Sequence, residues 1–280
     1  MNNISEAMNI GIIGQGFVGN AVFLKFKNFY NLYTYDLNKN LCNSSIDEIK
    51  SKCKIIFVCV PTPMNFDGTC DTSIVESVIK NFSELEDIII VNKSTVIPGT
   101  TEILNSKFNK IQIIYNPEFL TERNAVNDYN NQNRIILGGP RPASTILKNV
   151  FSKVFPSAVI IKTGSTHAEM IKYFTNSFLA TKVSFCNEMY ELCNKLNLDY
   201  DKIVEYVVFD NRIGNSHLNV PGPDGDLGFG GHCFPKDLAA LTRLSEKLGT
   251  TNNILKSVKK TNDKLRSNRD WEKMKGRAVN

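Results

Sequence analysis

Apolar residues in the first part of the chain fall in short continuous blocks, each closed by glycine, proline or a polar cluster. Ile10-Gly11-Ile12-Ile13, Leu32–Tyr35, Ile55–Val60, Asp87–Val91, Ile111–Tyr115, Arg134–Gly138 and Ala158–Lys162 read as strands. Continuous rather than alternating apolarity suits strands covered on both faces, as in a parallel sheet. Helical patterns run between them, the first from Asn20 to about Phe29. After Thr166 the period changes. Met170, Ile171, Phe174, Phe178, Leu179, Phe185, Met189, Leu192 and Leu196 recur at helical spacing, with no proline or glycine between Thr166 and Leu196. Asp199–Val208, Asp237–Leu248 and Ile254–Lys275 read as further helices, the second capped by Asp237 and stopped at Gly249. Asn215–Asp226 is polar and rich in Gly and Pro, so it reads as a loop. The pattern predicts an α/β chain with a parallel-sheet domain over 1–164, followed by an all-helical domain over 165–280.

The first strand runs into Gly14-Gln15-Gly16-Phe17-Val18-Gly19, a helical pattern follows, and the second strand ends at Asp36. Strand, G-x-G-x-x-G, helix, strand and acid within one βαβ unit form a dinucleotide-binding pattern of Rossmann type. The first glycine permits the tight turn and the second admits a pyrophosphate. The third lets the helix pack close and aim its N-terminus at the phosphates. Asp36 is placed to accept the ribose hydroxyls and to repel a 2′-phosphate, which favours NAD over NADP. Polar residues gather just past the later strands: Pro61-Thr62, Ser94-Thr95, and Glu118 with Glu122. Open α/β sheets place their ligands at such strand ends, although each of these residues taken singly also suits an ordinary loop or helix cap.

Composition narrows the class. The chain has 280 residues, no apolar run long enough to span a membrane, and a start, Met1-Asn2-Asn3-Ile4-Ser5-Glu6, without the basic and apolar regions of a signal peptide. Seven cysteines, an odd number without metal-ligand spacing, point to free thiols in a reducing cytoplasm. The net charge of +5 is concentrated in residues 256–277, which hold nine Lys/Arg and three Asp/Glu. That segment is read as a solvated helix face rather than a nucleic-acid surface.

Two further patterns carry chemistry. Lys172 and Asn176 are one helical turn apart, so they share a face. A buried ammonium is costly without a partner or a task; two solvated polar residues on an outer stripe explain the pair equally well. Gly228-Phe229-Gly230-Gly231-His232-Cys233-Phe234-Pro235-Lys236-Asp237 sets a cysteine in a glycine-rich turn beside a cation, at the start of a helical pattern. A helix N-terminus and a nearby ammonium stabilise a thiolate. A small buried cysteine in a turn is the plainer alternative.

These motifs together, in this order from Met8 to about Lys260, resemble the UDP-glucose 6-dehydrogenases within the nucleotide-sugar dehydrogenases. The resemblance rests on Gly14–Gly19, Lys93-Ser94-Thr95, Asn116–Glu122, Lys172 with Asn176, Asp210–Gly214 and Gly228–Asp237. It implies a two-step, four-electron oxidation of a sugar C6 alcohol to a carboxylate, with NAD as cofactor and UDP-glucose as the leading substrate. Cys233 matches the family's nucleophile, which takes the aldehyde as a thiohemiacetal and then as a thioester. Lys172 and Asn176 match the pair that stabilises negative charge on the substrate oxygen. Thr95 and Asp237 match residues that hold the catalytic water, Glu118 one that assists thioester hydrolysis, and Glu122 one near substrate and cofactor. The resemblance also implies cofactor contacts from Gly14, Gly16, Phe17, Val18, Gly19, Asp36, Pro61, Thr62, Ser94, Thr95, Glu122 and Lys236. Substrate contacts are implied for Glu118, Phe119, Leu120, Glu122, Lys172, Asn176, Arg212 and Gly230. No metal or nucleic acid is implied, and a homodimer through the central helix is.

The family's pattern continues with a further nucleotide-binding domain where this sequence stops, so Arg266, Arg269 and Arg277 are candidates for replacing its contacts. The loop Asn219–Gly225 also differs from the commoner family versions. A GDP-mannose 6-dehydrogenase would use the same chemistry. A β-hydroxyacid dehydrogenase shares the Lys-x-x-x-Asn pair but needs no cysteine, and a truncated non-catalytic relative would need none of these side chains.

Overall fold

A computed structural model describes residues 8–280 of the chain; residues 1–7, the segment read for a leader, lie outside the described residues. Seven strands form one sheet in the order β2-β1-β3-β4-β5-β6-β7. They are β1 Asn9–Ile13, β2 Asn31–Tyr35, β3 Ile55–Val58, β4 Ile89–Asn92, β5 Gln112–Tyr115, β6 Arg134–Gly138 and β7 Val159–Thr163. Helices α1 Phe17–Phe26, α2 Ile46–Lys52, α3 Ser73–Lys80, α4 Thr100–Lys107, α5 Ala125–Asn130 and α6 Ala143–Val154 connect them. The expected α/β fold is therefore present, with one correction: β6 runs antiparallel to β5, through the single pairing of Tyr115 with Gly138, while the other neighbours are parallel.

The continuous apolar strands feed two cores, because successive side chains leave opposite faces of a sheet. Ile10, Ile12, Ile55, Phe57, Ile89 and Val91 pack with Phe26 of α1 and Phe151 of α6. Ile13, Ile56, Val58, Ile90 and Ile113 face the other way, against Ile49 of α2, Ile79 of α3 and Leu104 of α4. The strand order reverses between β2-β1 and β3, so the C-terminal ends of β1 and β3 flank a topological switch point.

The helical part contains α7 Ser165–Lys195, α8 Tyr200–Val207, α9 Phe234–Lys247 and α10 Asn253–Leu265. Two helices depart from the sequence pattern. The α9 helix starts at Phe234, three residues before Asp237, because Pro235 in its first turn needs no hydrogen-bond acceptor; Asp237 is a first-turn residue, not the cap. The last helix ends at Leu265 rather than Lys275, since Arg266 leaves helical geometry at ψ 118° and its side chain turns into an acidic cluster. By contacts the chain divides into two compact units, one running through Thr62 and over Thr72–Lys172, the other comprising Pro63–Asp71 and Tyr173–Asn280. In the second unit, the Pro63–Asp71 segment is joined to the chain's last residues by Met64 N donating to Ala278 O (2.8 Å) and Asn280 N to Met64 O (3.0 Å). Among the described residues no helix is long and apolar enough to cross a membrane.

Candidate active site

Within the sheet unit the glycine turn has the shape its sequence calls for. Gly14 adopts φ +89°, and a Cβ there would lie 2.5 Å from Cys59 O. A Cβ on Gly19 would collide with Gly14 O, so this glycine allows α1 to sit against the turn. Around Gly16 there is open space, and it caps α1 with no side-chain hydrogen bond and no acidic residue in the first turn. A helix N-terminus above an open glycine turn favours an anion, which fits the pyrophosphate of a dinucleotide. Phe17 and Val18 open the helix half-buried beside it. The Asp36 carboxylate accepts Gln15 N (2.7 Å) and Asn38 N (2.8 Å), which fixes it at the end of β2 facing the glycine turn.

At the next strand ends Thr62, Ser94 and Thr95 are buried, while Pro61 is exposed. Ser94 Oγ accepts Val60 N (3.0 Å), tying the β4 end to the β3 end. Past β5, Glu118 meets Lys172 of α7: Nζ donates to Oε1 (2.8 Å) and to the Glu118 carbonyl (2.7 Å). Leu120 N donates to Oε2 (2.8 Å). Burial would push the Glu118 carboxyl up, but Lys172, the Leu120 amide and Lys93 together hold it below its ordinary range. Phe119 lies under both Lys172 and Arg134 as a cation–π platform. Glu122 is exposed.

Lys93, named by its motif but given no role from sequence, is a second buried ammonium. Its Nζ donates to Asn116 Oδ1 (2.9 Å) and Asn116 O (3.3 Å) and lies 5.4 Å from the Tyr129 ring centre. Burial pushes it down to about 8, and Lys172 adds to that against the opposing pull of Cys59 and Glu118.

In the helical unit, Cys233 is the N-cap of α9, and its carbonyl accepts Asp237 N (2.9 Å). Asp237 is 1% exposed; one oxygen takes Lys236 Nζ (2.6 Å) and the other takes Asn176 Nδ2 (2.6 Å). Burial would push Lys236 down, yet Asp237, then Cys70 and Cys233, raise it above its ordinary value, so it stays charged. Sequence reasoning passed over His232, although a histidine directly before a cysteine was signal enough: its Nε2 is 3.4 Å from Cys233 Sγ.

The glycines of this turn make room for protein as well as for a ligand. At Gly228, with φ +66°, a Cβ would strike Asn262, and at Gly230 it would strike Arg266 and Asp270. Asn262 of α10 holds both polar atoms of the Phe229 backbone, at 2.7 and 3.0 Å. Asp270 accepts Gly231 N at 3.1 Å. Arg266, its side chain 1% exposed, is surrounded by Asp224, Asp226 and Asp270. It therefore locks the loop instead of offering a free cation, and Arg269 is paired with Asp263 and Glu272. Arg212 is exposed and bonded to Asp210 (2.9 Å). A cavity of about 470 Å³ lies in this unit, lined by Phe229, Pro235, Leu238, Lys259 and Trp271 among others.

Residues 31–158 match the UDP-glucose/GDP-mannose dehydrogenase family, NAD binding domain, and residues 166–264 match the central domain of that family. UDP-glucose 6-dehydrogenase TuaD of Bacillus subtilis (strain 168) is 36% identical over 221 residues, 76% of this chain and 47% of that protein. UDP-glucose 6-dehydrogenase of Rickettsia felis is 37% identical over 253 residues, 88% of this chain and 52% of its own length. The chain thus spans about half the length of the curated relatives it matches. A UDP-glucose dehydrogenase structure from the hyperthermophilic archaeon Pyrobaculum islandicum aligns with a TM-score of 0.84 at 29% identity, covering 94% of this chain and 70% of that one. The two parts of the sequence match successive domains of one family in that family's order, and the chain belongs to it: the UDP-glucose/GDP-mannose dehydrogenase family.

Proposed function

We propose that the chain oxidises the C6 alcohol of a nucleotide sugar, UDP-glucose first among them, to the carboxylate through a covalent adduct on Cys233. The reading rests on family membership and on one observation above others: a cysteine at an uncapped helix N-terminus, backed by the buried Asn176–Asp237–Lys236 chain. NAD, when bound, supplies the hydride acceptor for both oxidations. Domain 1–164 would hold it through Gly14, Gly16, Gly19 and Asp36, with Phe17, Val18, Pro61, Thr62, Ser94 and Thr95 beside it.

Domain 165–280 supplies the cysteine loop. The charge of Lys236 and the α9 amides favour a thiolate at Cys233. A thiolate both attacks a carbonyl readily and leaves readily, so it can hold the aldehyde and later release the acid. Lys172 and Asn176 are donors suited to negative charge developing on the substrate oxygen. Thr95 and Asp237 are assigned to positioning water, Glu118 to assisting thioester hydrolysis, and Glu122 to contact with substrate and cofactor. Phe119, Leu120, Arg212 and Gly230 are assigned to sugar-nucleotide contact.

A second copy of the chain is the proposed partner. Phe174, Phe178, Phe185 and Leu192 form an exposed apolar stripe on α7, continued by Leu196 just past its end, which a homodimer would cover.

The test is an absorbance assay of the purified chain with NAD and UDP-glucose, counting NADH against UDP-glucuronate. Two NADH per product and no product from Cys233→Ser support the mechanism. One NADH per product, or full turnover to the acid by Cys233→Ser, defeats it.

A further inference from the structure

Adjacent residues on an extended chain point apart, yet His232 and Cys233 face each other. Gly231 at φ +71° and the helical geometry of Cys233 turn the backbone between them. The turn is anchored on one side by Asp270, which accepts Gly231 N, and on the other by the Asp237 N to Cys233 O bond. The resulting 3.4 Å between Nε2 and Sγ is a hydrogen-bond distance for sulfur, and catalytic contacts are commonly longer before substrate binds.

A thiol that must attack a carbonyl needs an acceptor for its proton. Lys236 is charged and has no place for one. Asp237 is buried with its charge matched by the Lys236 ammonium and its other oxygen held by Asn176. The helix N-terminus stabilises the anion but takes no proton.

We infer that His232 is a catalytic residue, the proton acceptor that converts Cys233 into a thiolate, an assignment that rests on reading Cys233 as the nucleophile. The S–H proton passes to Nε2. The sulfur lone pair forms the C–S bond to the aldehyde carbon as the C=O π pair moves onto oxygen. That oxygen takes the proton back from the imidazolium. The sum is addition of a thiol across a carbonyl, with no change in electron count. The same pairing of nucleophile and adjacent base underlies Cys–His catalysis generally.

Several charged or titratable groups surround the turn. Lys236 and Asp237 lie on α9, Cys70 on the Pro63–Asp71 segment acts on Lys236, and Asp270 and Arg266 lie behind Gly230. The His217 ring lies tilted against Phe234, 5.6 Å between ring centres, and burial followed by Lys182 lowers its affinity for a proton.

The experiment measures iodoacetamide alkylation of Cys233 against pH, peptide by peptide in the whole chain, for wild type, His232→Gln and His232→Ala. Steady-state turnover of UDP-glucose is recorded over the same pH range. An ordinary thiol titrates near ~8.5. The wild-type inflection is expected at least one pH unit lower, and both variants should move it up by at least one unit. Turnover near neutrality should fall roughly 100- to 10,000-fold, the worth of one acid–base group, and recover in alkali as the thiol ionises unaided. Identical alkylation inflections in wild type and His232→Gln would overturn the inference, as would a turnover deficit that persists undiminished in alkali. Loss of turnover in Cys233→Ser with unchanged His232→Gln profiles sinks only the role of His232; retained turnover to the acid in Cys233→Ser sinks the nucleophile reading beneath it.

Discussion

Lys172 Nζ lies 2.8 Å from Glu118 Oε1, with the two side chains only 3% and 7% exposed. Neither charge can be left alone in such a place, because removing one partner of a buried ion pair costs about 3–5 kcal/mol. Lys172→Met and Glu118→Gln should each destabilise the chain by about that much in urea unfolding, and the double variant by less than their sum. Additive effects would show that the pair is not coupled. The pH dependence has a definite sign. Glu118 is held below its unfolded value of 4.5, so its stabilisation is fully present above that value. It disappears as pH falls through the lower folded value. The stability gap between wild type and Glu118→Gln should therefore close in acid, below about pH 4.5, and stay constant from neutrality down to it.

This pair also shows how far sequence reaches. The spacing of Lys172 and Asn176 put them on one face of a helix, but whether they were buried was open. Burial depends on Glu118 and Asp237, 54 and 61 residues away, and periodicity carries no such information. The strands were legible because a two-faced sheet leaves a local signature, continuous apolarity. The antiparallel β6 was not, since strand direction is set by where a connection returns. Asp237 looked like a cap because acids favour that position; Pro235 was the sign that the helix starts earlier. The end of α10 was invisible, because Arg266 leaves the helix for acids at Asp224 and Asp226 in another loop.

Asn262 binds the Phe229 backbone at both its N–H and its C=O. Each buried backbone group left without a partner costs about 1–3 kcal/mol, so Asn262→Ala should destabilise the helical unit by roughly 2–5 kcal/mol. Its effect should be local as well as global. Hydrogen exchange of residues 228–233 is expected to quicken more than that of β1 or β3. Uniform acceleration throughout the chain would mean that Asn262 does not act on the cysteine loop.

Asp36 accepts two backbone amides and still has lone pairs for hydroxyl donors. A hydrogen bond to a charged group contributes about 1.5–3 kcal/mol, so Asp36→Ala should weaken NAD about 10- to 100-fold in a fluorescence titration. NADP binding should weaken less or improve, since the carboxylate no longer repels a 2′-phosphate. Equal losses for both cofactors would remove Asp36 from the ribose site.

Lys93 gives a prediction at the other end of the pH scale: folding favours the charged form of Glu118 but penalises that of Lys93. Its folded value is about 8 against 10.5 in the unfolded chain. Below about pH 8 the side chain is charged in both states, and the folded state carries the full cost of burying it. Between about 8 and 10.5 the unfolded chain binds a proton that the folded chain does not, so stability rises with pH. At 1.36 kcal/mol per unit the gain reaches about 3 kcal/mol. Cys59, pushed by burial to about 12, titrates the other way over part of this range, as a thiol kept protonated by folding loses stability when pH rises. Comparison with Lys93→Met removes most of the thiol's contribution, because both chains retain Cys59 and burial rather than Lys93 is the main cause of its shift. Wild-type stability minus that of Lys93→Met, from urea unfolding at intervals across this range, should grow steadily from pH 8 to about 10.5 and then level off. A difference that stays flat would mean that folding leaves the proton affinity of Lys93 unchanged, as for a solvated side chain.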